Sequence, residues 1–210
     1  MGSKTIYLIR HGETDYNKRG IVQGSGIDSN LNEKGRAQAK AFFDYYNHIP
    51  FQKVYTSALV RTHQSIELFL EKGLPHHILP ELNEISWGHK EGKVPNSNDD
   101  KDYHELIRSW GEGKTDLKIP GGESPLEVAE RQKEGLNHIL NQKDENPILV
   151  AMHGRAMRIL LTQLLNQPLS AMDQFEHTNL CLYLLEYSYA DSQYHLHKAN
   201  DCVHLETLTV

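Results

Sequence analysis

The run "IYLIRHGET", Ile6 to Thr14, sets four apolar or aromatic residues directly before Arg10, His11 and Gly12. Late in the chain "ILVAMHGR", Ile148 to Arg155, repeats the pattern and ends on His153 and Gly154. A short, continuous apolar run bounded by turn-forming residues predicts a strand buried on both faces. Two such strands that finish in polar residues point to an α/β layer fold. The mostly parallel sheet of such a fold presents ligands to the carboxyl ends of its strands. The glycine after each histidine permits a sharp turn and close approach by another group.

The rest of the chain alternates short apolar runs with amphipathic stretches. Strands are expected over Lys4–Ile9, Lys53–Ser57, His76–Leu82, Ile148–Met152 and Leu180–Tyr187, with a shorter one near His195–Ala199. Helices are expected over Asn32–Tyr46 with Asn32 as cap, over Arg61–Gly73 ended by the glycine, and over Arg155–Leu165. The clearest local signal is "GGESPLEVAERQ": Ser124 caps, Pro125 opens the helix and Glu127 closes a capping box, predicting a helix to about Gln142. Together these predict a three-layer α/β/α sandwich with a mostly parallel central sheet, in a single domain over residues 1–210. The polar stretch from Lys93 to Pro120, with one helical patch at Leu106–Trp110, is expected to be an excursion that covers something.

Charge narrows the function. With 28 Asp plus Glu against 22 Lys plus Arg, the formal charge is −6, which disfavours sequence-blind binding of nucleic acid. An anion handled by this chain should be small and held by a few local cations. Cys181 and Cys202 form no CxxC motif and predict two free thiols. With no signal peptide and no apolar run of membrane length, a cytoplasmic protein without membrane partners is expected. No HExxH or Cys/His cluster appears, so neither a catalytic metal nor another cofactor is expected, and His76-His77 suits a polar strand edge. One strand-end histidine among 13 would carry little weight; two, one with an adjacent arginine, carry much more.

"LIRHGETDYN" resembles the signature of the histidine phosphatase superfamily, which includes the cofactor-dependent phosphoglycerate mutases. "TSALVRTHQS" resembles that family's S-x-L-x-R segment and places Arg61, and "ELNEISWGHKEG" resembles its L-x-E and G-x-x-E-G landmarks and places Glu84. "PGGES" and "AMHG" resemble the remaining two, in the family's order, between residues 6 and 154. The resemblance implies a phosphoglycerate mutase-like fold and a shared anion pocket. Arg10 and Arg61 offer planar forks of donors to phosphate oxygens, His153 with Gly154 adds a donor on the neighbouring strand end, and Asn17 a neutral amide. His11 is then the nucleophile, one ring nitrogen attacking phosphorus while a backbone carbonyl orients the other. Glu84 is the candidate general acid, chosen over nearby Glu81 and Glu91 by its L-x-E placement; to hold a proton near neutral pH it needs burial and the phosphate's charge nearby. Gln23 and Gly24 match the segment that lines the substrate side in relatives, although "GSGIDSNLNEKG" lacks the usual Trp before Asp28. Ser57 fits a loop anchor and a strand-end turn equally, and Glu123 belongs to the helix start with a possible face toward the site.

The signature does not separate hydrolysis from mutase chemistry. Residues 93–120 hold a single arginine, Arg108, where phosphoglycerate mutases carry paired arginines for a substrate carboxylate. Hydrolysis of a small phosphorylated metabolite is therefore expected, with mutase-type (isomerase) transfer as the alternative. A catalytically silent phosphate-binding domain is disfavoured because His11, Arg61, Glu84 and His153 are all present. Monomer and homodimer are both compatible with the sequence.

Overall fold

The computed structural model describes residues 2–94, 97–206 and 208. The chain opens with β1 (Ser3–Arg10), a one-turn helix α1 (Asp15–Lys18) and α2 (Glu33–Tyr46), followed by β2 (Lys53–Thr56). Next come α3 (Val60–Ser65), α4 (Glu67–Glu71) and β3 (His76–Ile78), then α5 (Ser97–Gly111) and α6 (Pro125–Asn141). β4 (Ile148–Met152), α7 (Gly154–Leu164) and the antiparallel pair β5 (Leu182–Ser188) and β6 (Gln193–Asp201) complete it. The sheet has six strands in the order β3-β2-β4-β1-β5-β6. The first four run parallel; β5 and β6 run antiparallel at one side.

Two strands far apart in sequence lie side by side at its centre. Arg10 of β1 is in register with Met152 of β4, and the His11 amide donates to Met152 O at 2.9 Å. His11 and His153 therefore leave the sheet together at its carboxyl edge. All five residues of β4 are buried, and they alternate between two cores. Ile148, Val150 and Met152 pack with Leu82, Trp110, Val128 and Met157, whereas Leu149 and Ala151 pack with Ile9, Phe42 and Phe69. α5, α6 and α7 thus cover one face and α2, α3 and α4 the other, giving the expected three layers. Each such buried aliphatic side chain is worth about 1.5–3 kcal/mol.

The caps are those the sequence predicts: Asn32 accepts from Gly35 N, and Ser124 and Glu127 form the reciprocal box. Five elements differ from expectation. The helix expected over residues 61–73 breaks at Ile66 (φ −122), where Ser65 Oγ donates back to Arg61 O at 2.6 Å and accepts the Gly12 N–H at 2.9 Å. A hydroxyl bonded to its own helix competes with continued helix geometry. The third strand is only His76–Ile78, because Pro80, which has no N–H to donate, opens a 3₁₀ turn. α5 is longer than the expected patch; its fully buried Trp110 stacks near Trp87 with centroids 5.7 Å apart, and that apolar anchor carries the polar turns before it. β5 starts two residues late, since Leu180 sits in a left-handed turn at φ 57, and β6 is longer than expected. Cys181 and Cys202 are both free thiols. Among the described residues no helix is long and apolar enough to cross a membrane.

Candidate active site

His11 is buried, 3% exposed, immediately beyond β1. Its Nδ1 lies 2.7 Å from Gly12 O, which fixes the proton on Nδ1 and leaves Nε2 with a lone pair and no hydrogen-bond partner among the described residues. Burial first, then the Arg61 and Arg10 guanidiniums, hold the ring well below an ordinary imidazole's pKa, outweighing the Gly12 carbonyl. The ring is neutral at neutral pH. Gly12 is required here by contact: a Cβ on it would meet Gly35 O at 2.7 Å.

His153 sits 5.2 Å from His11, ring centroid to ring centroid, and is fully buried. Both of its nitrogens are engaged. Nδ1 accepts from Arg61 Nε at 3.2 Å, so Nε2 carries the proton and donates to Ser57 Oγ at 2.7 Å. Burial, with Arg61 next, also holds this ring well below the usual value. His153 is thus held between Arg61 on one side and Ser57 on the other.

The two arginines differ in the same way. Arg61 is fully buried, its Nη1 donating to Ile27 O at 2.7 Å and its Nη2 to Gly24 O at 3.2 Å. With the Gln23 amide oriented to satisfy its neighbours, Gln23 Oε1 accepts from Arg61 and Ser29 while its nitrogen donates to Thr14. Burial lowers the Arg61 pKa to about 10, with Glu84 the leading opposing charge. Arg10 uses only Nη1, on His177; its buried Nε has no partner among the described residues. Gly154 lets that guanidinium lie flat, since a Cβ there would sit 3.2 Å from Arg10 Nε.

Glu84 is 7% exposed and lies at the start of α7. Oε1 accepts from Ile85 N at 2.9 Å and Ala156 N at 2.8 Å, and Oε2 from Arg155 N at 3.1 Å. A carboxylate at a helix N-terminus satisfies unpaired amides and opposes the helix dipole. The loop that carries it is held from behind: Arg131 donates to Glu81 O and Glu84 O and pairs with Glu123, which also accepts from Ser86 N. Glu123 thus supports the Glu84 loop rather than facing the site. Asn17 holds its oxygen toward Thr14 and Asn179, which leaves its amide nitrogen unbonded among the described residues. Beside Gln23 opens a cavity of ≈ 290 Å³, walled by Ile21, Val22, Trp87, Lys90, Tyr103 and His104.

A model of the histidine phosphatase superfamily (branch 1) matches residues 6–201 of this chain. The chain belongs to that superfamily. An adenosylcobalamin/alpha-ribazole phosphatase of Salmonella typhimurium is 31% identical over 180 residues, covering 84% of this chain and 87% of its own. A "probable phosphoglycerate mutase GpmB" of Erwinia tasmaniensis is 28% identical over 209 residues, covering 96% and 94%. Among solved structures, the alpha-ribazole phosphatase of Shigella flexneri superposes with TM-score 0.81 at 24% identity, over 94% of this chain and 96% of that one. A mycobacterial glucosyl-3-phosphoglycerate phosphatase does so with TM-score 0.81 at 23%, over 95% and 99%. At those identities the superpositions speak for the fold.

In this histidine phosphatase, the structure gathers Arg10, His11, Arg61, Glu84 and His153 around one point, with Asn17, Gln23, Gly24 and Gly154 at its border. Three residues that the sequence reading did not single out for this site complete it. Ser57, which by sequence fits a loop anchor and a strand-end turn equally, meets His153 Nε2. His177 holds Arg10, and Asn179 Nδ2 donates to His11 O at 3.0 Å. The polar triplet His177-Thr178-Asn179 precedes an apolar strand instead of following one. Because β5 runs antiparallel to β1, its beginning, not its end, reaches the site.

Proposed function

We propose that this chain is a phosphomonoesterase that hydrolyses a small phosphorylated metabolite through a phosphohistidine on His11. The observation that carries the proposal is His11 itself: a neutral ring with Nδ1 tied to Gly12 O and Nε2 open beside Arg10. Nε2 attacks phosphorus, forming a P–N bond as the P–O bond to the leaving group breaks. The Arg10 guanidinium, bonded through Nη1 and with Nε unpartnered among the described residues, takes the equatorial oxygens on which negative charge spreads. The arriving phosphate replaces His153 Nδ1 as acceptor of the Arg61 Nε–H. His153 then takes up a proton from solvent on Nδ1 and donates to the phosphate, because the anion's charge offsets the burial and the guanidiniums that kept the ring neutral. Glu84 protonates the leaving oxygen from Oε2, the oxygen with a single backbone donor. In the second half it takes a proton from water, which attacks phosphorus, breaks the P–N bond and frees inorganic phosphate.

The chain forms one domain in this proposal, with α5 and the neighbouring loop as a cap over the leaving-group side, where the cavity beside Gln23 lies. The alpha-ribazole phosphatase relative supports hydrolysis of a metabolite phosphate. Phosphoglycerate mutase-type transfer is favoured only by the likeness to GpmB, and residues 93–120 hold one arginine for a substrate carboxylate. The protein is assigned to the cytoplasm.

The test is rapid acid and base quenching of the enzyme with a ³²P-labelled monoester. A base-stable, acid-labile label on His11 is expected, with turnover of p-nitrophenyl phosphate lost in His11→Ala. Label on a serine, or none, refutes the mechanism. Interconversion of phosphoglycerate isomers faster than phosphate release makes the protein a mutase.

A further inference from the structure

The two site arginines are secured unequally. Arg61 has its Nε on His153, Nη1 on Ile27 O and Nη2 on Gly24 O. The Arg10 guanidinium has one anchoring residue among the described residues: Nη1 reaches His177 O at 2.5 Å and His177 Nδ1 at 3.3 Å. Beyond that anchor its Nε is buried and unpartnered. The His177 ring also packs against the bare face of Gly154, 3.5 Å from where a Cβ would stand. The ring therefore lies between Arg10 and the start of α7.

We infer that His177 is a positioning residue for phosphate recognition, its Nδ1 and carbonyl fixing Nη1 so that Nε and Nη2 of Arg10 face the phosphoryl group. This rests on the reading of the site as a phosphatase centre and adds a residue to it. A flexible arginine side chain has rotamer freedom to lose, and a guanidinium fixed before the anion arrives loses less of it on binding. The tautomer suits the task. Burial, then Arg10 and Arg158, press the His177 pKa down to about 3, so the ring is neutral, and with Nδ1 facing a guanidinium donor the proton sits on Nε2. A protonated ring would instead repel the group it holds.

The experiment measures binding of inorganic phosphate by calorimetry, together with KM and kcat for p-nitrophenyl phosphate. Wild type is compared with His177→Ala, His177→Asn, Arg10→Ala and the double alanine variant. In His177→Ala, the phosphate Kd and KM rise about tenfold, the scale of one hydrogen bond to a charged group, while kcat falls less. Asn places an oxygen close to where Nδ1 stood, so His177→Asn stays within about threefold of wild type. In the Arg10→Ala background, removing His177 costs nothing further. Unchanged phosphate affinity in a folded His177→Ala overturns the inference, as does an equal loss on top of Arg10→Ala. Asn no better than Ala, with a lowered Tm in both, overturns it too and makes His177 a packing residue. Wild-type protein that neither binds phosphate nor hydrolyses the ester refutes the phosphatase reading itself, a different result from any of these.

Discussion

The ends of β1 and β4 carry the same short phrase, histidine then glycine, and lie next to one another, yet they are wired differently. At the β1 end, His11 is held by one nitrogen and, among the described residues, open at the other. At the β4 end, His153 is held at both, between Arg61 and Ser57. Both rings are buried and neutral, so burial does not distinguish them. The second partner does. A ring with a lone pair free toward the pocket is equipped to attack, and a ring pinned on both sides is equipped to support. A shared motif therefore marks a shared location, while hydrogen bonds from other elements set the role.

The largest effect should come from deleting each ring in turn. His11→Ala removes the atom that bonds to phosphorus, and kcat for p-nitrophenyl phosphate should fall by about 10⁵-fold or more. His153→Ala removes one stabilising contact, and about 10²–10³-fold is expected. Steady-state kinetics on the two variants decides; equal losses would erase the distinction between the strand ends.

Next in size is Glu84, which the β4 end positions through the amides of Arg155 and Ala156. If β1 supplies the nucleophile and β4 the acid, Glu84→Gln should cost about 10²–10⁴-fold on an alkyl phosphate. p-Nitrophenyl phosphate, whose leaving group needs little protonation, should suffer far less. An equal loss on both esters would assign Glu84 to positioning of α7 alone.

The β1/β4 adjacency was legible because both strands read as continuous apolar runs and both end in the same residues. The caps of α2 and α6 were legible because Asn32, Ser124 and Glu127 act through their own neighbours. The break at Ile66 was not, since it depends on Ser65 meeting Gly12, which stands 53 positions away. Nor was the role of His177: strand direction decides which end of a run faces the site, and the run after His177 carries no mark of being antiparallel. Ser57 was visible as a residue but not as a ligand of His153, because that contact spans 96 positions. Local chemistry is written locally, whereas the groups that tune each imidazole arrive through topology.

Stability against pH gives a third comparison, now of the two rings together against the rest of the chain. Both folded pKa values lie below the unfolded value of 6.5. Below pH 6.5 the unfolded chain takes up protons that the folded one refuses, so stability should fall as pH drops and should be fully present above that value. Each ring contributes at most about 1.4 kcal/mol per pH unit in that window. Urea midpoints from pH 8 to pH 5 test this. His153→Asn should flatten the acid limb relative to wild type, and an unchanged slope would mean the ring accepts a proton in the fold.

The smallest effect sharpens the comparison most, because each strand end has its own buried serine. Ser57 Oγ accepts the His153 Nε2–H, and Ser65 Oγ accepts the Gly12 N–H without touching either ring. Each alanine substitution strands a buried donor, so each should cost about 1–3 kcal/mol of stability by urea unfolding. Activity should separate them. Ser57→Ala frees the His153 ring to rotate away from Arg61, and kcat/KM should drop about tenfold. Ser65→Ala leaves the His11 Nδ1 contact to Gly12 O in place, and kcat/KM should stay within about threefold of wild type. A larger loss for Ser65→Ala would show that His11 is aimed by its backbone turn more than by its ring hydrogen bond, which would move the decisive support of the nucleophile from β1 to α3.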